Sequence, residues 1–290
     1  MRLPTTNTTT TIFRDLDTCR RYLIARNWKL SKAQNQLEAT LRYKLQKLND
    51  PNRPIHFWQS PLAMNNPWAV AMRIIGWDTA GRPICYTCFA ESHDRWNAVA
   101  NTQHMELLME ATTHLLRQRR ADGLNHTATS RQWIWVIDFQ GYGLRDQNPQ
   151  SGILTSKLLQ HYPEMLYLGV FLNAPWVFRG VYKILRPLLD ASVQQKVLFV
   201  TGTRDEQWQT VLTDRLGADA ARWIVDETAD NERQRTNGGG QPKKYWVPAA
   251  SSSAHDSRGM ASYIQSPYYV KTPGEAYEEQ KQLQKDESKL

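Results

Sequence analysis

Apolar positions in the first fifty residues recur every three or four, as on one face of a helix. Leu16, Cys19, Leu23 and Ile24 mark a helix over 15–27, and Ala33, Leu37, Leu41, Leu45 and Leu48 mark a second. Ser31 and Gln34 stand at the spacing of a capping box for that second helix, and Asn49-Asp50-Pro51 ends it. A proline-spaced connector follows over 51–67, and the period then changes. Residues 69–78 and 83–90 read as strands around a Thr79-Ala80-Gly81 turn. Helical spacing returns over 94–120, with Met105, Leu108, Met109, Leu115 and Leu116 inward. A strand over 133–139 leads into Gly141-Tyr142-Gly143, a short helix covers 155–161, and 165–173 and 196–202 read as buried strands. A helix over 206–216 follows. Strands alternating with helices predict an α/β fold with several parallel strand pairs. After Asp226 the chain turns polar and carries glycine and serine runs, which predicts loose peripheral structure ending in a charged, flexible tail. The threonine-rich residues 1–11 read as disordered.

One stretch departs from this pattern. NAPWVFRGVYKILRPLLD (173–190) is almost entirely apolar after its first proline, with three cations set into it. On a wheel of 100° per residue, Arg179, Lys183 and Arg186 form a narrow stripe opposite Val177, Val181, Ile184, Leu185 and Leu188, and Phe178, Tyr182 and Leu189 widen the apolar arc. A helix over 176–189 spans roughly 21 Å, too short for a bilayer core of about 30 Å. Two readings stay open: an amphipathic helix packed on the sheet, or a helix that covers an apolar cavity or rests on a bilayer surface with its cations toward phosphates.

Composition narrows the classes. The formal charge of +8 favours anionic partners, and eleven tryptophans are a large aromatic load for 290 residues. Cys19, Cys85 and Cys88 are too few for a disulfide framework. Cys85 and Cys88 form a C-x-x-C, but in a strand residues three apart face opposite sides, so ordinary buried cysteines are expected and no metal site. Residues 1–12 lack an apolar h-region, and no apolar run reaches the length of a spanning helix. The chain has no G-x-S-x-G, H-E-x-x-H, P-loop or complete G-x-G-x-x-G, which argues against an enzyme. Its basic residues are dispersed and match no nucleic-acid-binding signature, so no nucleic-acid partner is expected.

The segment 161–200 resembles the CRAL-TRIO family of lipid-binding and lipid-transfer proteins. The likeness is carried by Tyr162-Pro163-Glu164, Asn173-Ala174-Pro175-Trp176, Arg186-Pro187-Leu188-Leu189-Asp190 and Lys196-Val197. Upstream, WVIDFQG (135–141) is similar to that family's central strand and D-x-x-G, GWDTAGRPI (76–84) to its D-x-x-G-R-P hairpin, and residues 20–44 to its N-terminal helical module. The resemblance implies a CRAL-TRIO lipid-binding fold of α/β class, in which a helical N-terminal lobe (12–50) precedes an α/β domain (67–247). Its sheet floors an apolar pocket closed by a gate helix, and 248–290 is a loose tail. Residues 173–190 take the gate's place, with Trp176, Phe178, Arg179, Tyr182, Lys183 and Arg186 as its membrane-contacting residues.

By the same resemblance, Arg26, Glu164 and Lys196 match the headgroup-binding trio of the family's phosphatidylinositol binders. Cationic donors suit a phosphodiester in a dry pocket, and a carboxylate suits inositol hydroxyls. A structural Glu164–Lys196 ion pair is the alternative. The family's lysine after the arginine is Asn27 here, and its threonine before the strand lysine is Val193, beside Ser192. Trp133 and Trp135 replace the small hydroxyl residues of the phosphatidylcholine binders. The indoles remove those hydroxyls, so no phosphatidylcholine binding of that type is expected; with Ile184 and Leu188 they are expected to line the pocket and to shape it for a smaller or different apolar ligand. Phosphatidylinositol is the leading candidate, and a fatty acyl or isoprenoid ligand is the alternative. The expected partners are a phospholipid or other hydrophobic ligand and a transient membrane surface. A monomer suffices, and no cofactor beyond the bound lipid is expected. Ser288-Lys289-Leu290 is the peroxisomal address, which adds an import receptor as a partner and places the protein in peroxisomes, with the cytoplasm as second choice.

Overall fold

The computed structural model describes residues 16–54, 56–89, 91–92, 96–124, 131–143, 146, 148–188, 194–201, 207–237, 243–251 and 254–288. Five strands form one sheet in the order β1-β2-β3-β4-β5: β1 Arg73–Trp77, β2 Pro83–Cys88, β3 Trp133–Asp138, β4 Leu166–Leu172 and β5 Val197–Phe199. β1 and β2 are an antiparallel hairpin, and every later pair is parallel. In the hairpin turn Asp78 accepts from the backbone N–H groups of Ala80 and Arg82 and pairs with the Arg82 guanidinium at 2.6 Å. Gly81 supplies the positive φ of 75° that the turn requires.

Three crossover helices connect the parallel strands: α4 Ala98–Ala121, α5 Pro149–Leu159 and α6 Trp176–Leu185. Preceding them are α1 Leu16–Ala25, α2 Leu30–Leu48 and the single turn α3 Pro61–Asn65. Strands added in one direction through crossovers of one hand place those three helices on one face of the sheet. Cys85 Sγ lies 3.7 Å from Thr112 Oγ1 of α4 on that face. The opposite face is covered by α7 Gln209–Leu216 and α8 Ala218–Asn237. Ile84, Tyr86, Cys88, Ile134, Val136, Asp138, Val170 and Leu172 point that way and are all fully buried. The alternation separates the two cysteines: Cys88 points to the α8 side, and burial pushes the Cys85 thiol up to about 12.

α1 and α2 dock on the turn that precedes β4. Tyr22 Oη donates to His161 O, Gln36 Nε2 to Gln160 O and Arg21 Nη1 to Pro163 O. His161 stacks on Tyr43 with centroids 4.2 Å apart, and Tyr162 Oη donates to Glu110 of α4 at 2.6 Å. Polar contacts carry much of this seam, which is why Leu45 and Leu48 stay partly exposed while Ala33 and Thr40 are buried.

Several local expectations change. The capping box at Ser31 is not formed: α2 starts at Leu30, and Gln34 bonds Glu38 within the helix instead. α5 begins six residues earlier than its apolar spacing indicates, because Asn148 caps it and Pro149 takes the first position. α6 stops at Leu185 and tightens into a 3₁₀ turn over Arg186–Leu188, as Pro187 cannot donate to a continuing helix. β5 is a three-residue edge strand and only half-buried.

The largest correction lies beyond Asp226, where loose structure is expected. α8 continues to Asn237 with Glu227, Thr228 and Asn231 buried. Lys243, Tyr245, Trp246 and Ser257 are buried, and the short helix α9 Ala261–Ile264 seals β1 with Tyr263. The segment ends in α10 Pro273–Glu287, whose Thr272 and Glu275 make a complete capping box. Composition misleads here because the polar side chains are paired with one another. Gly259 enforces the docking. Its φ is +156°, Met260 N donates to Ile75 O at 2.8 Å, and a Cβ on Gly259 would meet Ile75 O at 2.8 Å. Gly259→Ala is expected to cost about 1–3 kcal/mol, read as a lower urea midpoint. An unchanged midpoint would mean that this segment does not hold β1.

Candidate functional site

A cavity of about 260 Å³ lies between the sheet and the crossover helices. Its floor follows from strand alternation. Trp135 and Ile137 of β3, Gly169 and Phe171 of β4 and Val197 of β5 are register partners on the face away from α8. Trp135 and Ile137 are only partly buried where Ile134, Val136 and Asp138 between and beside them are closed off, as expected of side chains that border the hollow. Thr155, Ser156 and Leu159 of α5 wall one side, and Phe178 and Tyr182 of α6 form the roof. Among the described residues, the roof side chains Phe178 and Tyr182 meet the floor through aromatic contacts. Phe178 lies 3.9 Å from Phe139 and 5.4 Å from Phe171 between ring centroids, and Tyr182 lies 5.6 Å from Phe199. Such contacts contribute about 0.5–1.5 kcal/mol each beyond area burial.

A charged pair stands beside the lining, where β4 and β5 begin. Glu164 and Lys196 precede the cavity-lining Leu166 and Val197 by two residues and one. Lys196 Nζ bonds Glu164 Oε2 at 2.9 Å, with the side chains 20% and 15% exposed. Glu164 takes a left-handed backbone, φ 56°, uncommon for a residue with a Cβ. Gln132 Nε2 donates to its carbonyl, which braces the turn. The strain and the pairing together aim the carboxylate at the start of β5.

Of the three headgroup positions expected from sequence, the structure joins Glu164 and Lys196. Arg26 follows α1, and its guanidinium donates to Ala25 O at 3.1 Å. The helix reaches the Tyr162-Pro163-Glu164 turn through Arg21, which sequence reading did not single out. Trp135 lines the cavity and donates Nε1–H to Thr87 Oγ1 at 3.0 Å. Trp133, only 2% exposed, lies in the core 5.8 Å from it between ring centroids. On α6, Trp176 is 79% exposed and Lys183 is exposed, and in the 3₁₀ turn after it Arg186 is exposed and bonds Gln194 at 2.9 Å. The side chains of Arg179, Ile184 and Leu188 lie outside the described residues, as do Ser192, Val193, Lys289 and Leu290. Phe139, Phe171 and Phe199 were also missed as site residues. Extending the two-residue alternation from Trp135 and Gly169 reaches Phe139 and Phe171.

Asp138 is structural. It is fully buried and accepts from Tyr86 Oη at 3.0 Å, Asn173 Nδ2 at 2.8 Å and the Gln140 N–H at 2.9 Å. These bonds pin the β3 turn and the entry to α6, and so set the roof over the floor.

Comparison with known proteins agrees with this geometry. A model of the CRAL/TRIO domain matches residues 69–217. Patellin-6 of Arabidopsis thaliana is 22% identical over 189 residues, covering 61% of this chain and 42% of its own. Phosphatidylinositol transfer protein PDR17 of Saccharomyces cerevisiae is 24% identical over 196 residues, 62% of this chain and 50% of its own. The chain thus spans about half the length of the curated relatives it matches. The crystal structure of Sfh5 superposes with a TM-score of 0.55 at 16% identity, over 93% of this chain and 81% of that one. Sheet order, cavity and the match over 69–217 lead to one conclusion: the chain belongs to the CRAL/TRIO domain family.

Proposed function

We propose that this protein takes up one lipid at a membrane and carries or presents it, performing no chemistry on it. The observation that carries the reading is the aromatic-roofed apolar cavity between sheet and crossover helices, with the Glu164–Lys196 pair next in sequence to its lining residues Leu166 and Val197. Acyl chains lie on Trp135, Ile137 and Phe171, each buried CH₂ contributing about 0.8 kcal/mol. The headgroup meets Lys196 and Glu164, with Arg26 as the third position. α6 is the gate. Its exposed Trp176, Lys183 and Arg186 suit an anionic bilayer surface, and contact there favours the open state. The cavity falls below the range of about 300–1,000 Å³ usual for drug-sized ligands, so a two-chain lipid enters only as α6 moves outward.

Phosphatidylinositol is the leading lipid, from the paired carboxylate and ammonium and from the relatives named as its transfer proteins. A smaller acyl or isoprenoid ligand is the second reading, favoured by the Trp135 indole in the floor and the small cavity. Peroxisomes are the proposed location, through Ser288-Lys289-Leu290, which follow α10 in sequence. Native mass spectrometry of the purified protein, with extraction and identification of what it retains, tests the reading. One phosphatidylinositol per chain is expected. An empty protein that also fails to extract labelled lipid from vesicles would overturn lipid carriage.

A further inference from the structure

A second, much smaller hollow opens at the seam between α1 and the core. Four arginines from three separate stretches of chain line it: Arg21 on α1, Arg117 and Arg120 near the end of α4, and Arg131 before β3. Leu116 and Met165 make its apolar side. Among the described residues one carboxylate lines it, Asp17, which accepts from Arg120 Nη1 at 2.9 Å and pairs with Arg131. Arg120 first, and then Arg131, holds the Asp17 acid below the usual carboxylate range against its partial desolvation. Arg21 is oriented by Thr18 Oγ1 at 3.2 Å and Pro163 O at 3.3 Å. Arg117 makes no ion pair among the described residues. Among the described residues, Arg117, Arg120 and Arg131 against the Asp17 carboxylate leave an excess of positive charge around about 70 Å³.

We propose that this hollow binds a phosphate group. Guanidinium forks match the oxygens of a tetrahedral dianion, and the excess cations repel one another until an anion is shared among them. The volume is that of about two waters at roughly 30 Å³ each, which suits one phosphate and not the sugar attached to it. Basic residues at the end of α4 also complement the helix dipole. That does not account for Arg21 and Arg131, which reach the same hollow from elsewhere. A bound phosphate bridges α1, α4 and the start of β3, and so fastens the N-terminal helices to the sheet domain. The phosphate belongs either to a phosphorylated lipid headgroup at a bilayer surface or to free phosphate. The proposal does not depend on what fills the apolar cavity.

The test titrates the full-length protein calorimetrically with inorganic phosphate and repeats the titration with vesicles present. The vesicles are phosphatidylcholine doped with phosphatidylinositol or with phosphatidylinositol 4-phosphate. Saturable one-site phosphate binding is expected, weakened about tenfold in Arg117→Gln. Arg117 has no ion pair to lose, so that variant should keep the wild-type melting temperature and its cavity lipid in native mass spectrometry. Competition by the 4-phosphate vesicles but not the phosphatidylinositol vesicles supports the headgroup source. Phosphate binding untouched by either vesicle supports free phosphate. Absence of saturable binding by either probe, or equal affinity in an Arg117→Gln/Arg120→Gln double variant, overturns the site while leaving the lipid cavity standing.

Discussion

Replacing Glu227 by alanine is expected to lower the unfolding free energy by about 3–5 kcal/mol, as for a buried ion pair that loses one partner. Glu227 is 1% exposed and meets three basic groups: Arg73 Nη2 at 2.7 Å, Lys243 Nζ at 2.8 Å and His255 Nε2 at 2.7 Å. Arg73 would keep the carbonyls of Ala71 and Ser257 and the faces of Tyr86 and Tyr245, and Lys243 would keep Asp230. Neither would keep a fully buried counter-charge. Domains of this size have about 5–15 kcal/mol in all, so the variant stands near its unfolding threshold. Glu227→Gln keeps the shape and removes the charge, which separates electrostatics from packing. The pH dependence has a definite sign. Burial alone would raise this acid, but Lys243, Arg73 and His255 outweigh it and hold it far below the ordinary 4.5. Its contribution is complete above that value and is lost as pH falls toward the folded pKa. Wild-type urea midpoints should therefore drop from about pH 5 downward, and Glu227→Ala should flatten that slope. Midpoints within about 0.5 kcal/mol of wild type for both variants would mean that the cluster does not hold α8 and the C-terminal segment to β1.

Lys196→Ala is expected to weaken retention of phosphatidylinositol by about thirtyfold or more, since truncating one partner of a hydrogen-bonded charge at a binding site costs about 2–5 kcal/mol. Its effect on stability should be small, within about 1 kcal/mol, because the pair with Glu164 is partly solvated on both sides. That contrast distinguishes the two roles of the pair. A purely structural ion pair predicts that Lys196→Ala and Glu164→Ala shift the unfolding midpoint alike and leave lipid retention unchanged. A headgroup role predicts that the lysine variant loses the lipid while the fold persists. Arg26→Ala, measured in parallel, reports whether the third position reaches the same ligand. If all three variants retain phosphatidylinositol as wild type does, these residues lose their assignment and the apolar cavity keeps its own.

Much of the fold was legible because local periodicity and burial agree. The inward face of α4, with Met105, Leu108, Met109, Leu115 and Leu116, is buried as its spacing requires. The strand alternation predicts that Cys85 and Cys88 part company, and they do. The ordered motifs from the Asp78 hairpin to Lys196 pointed to the family that the match over 69–217 establishes. Less of the site was legible. Glu164 and Lys196 meet across 32 residues of chain, and only the parallel pairing of β4 with β5 brings them together. Trp135 borders the cavity while Trp133, two residues earlier on the same strand, is closed off in the core, and no apolar pattern encodes what packs over each.

Taken alone, the amino-acid order determined the alternation of strands and helices, the apolar faces and the charge excess, because each depends on neighbours within a turn or a pleat. Tertiary structure decided the rest. It gathered four arginines around one hollow, placed an aromatic roof over the sheet, and turned the polar residues beyond Asp226 into a buried network. Polar composition reads as loose structure when each residue is counted singly. Its burial becomes favourable only when Arg73, Glu227 and Lys243, 154 and 16 residues apart in turn, meet and satisfy one another.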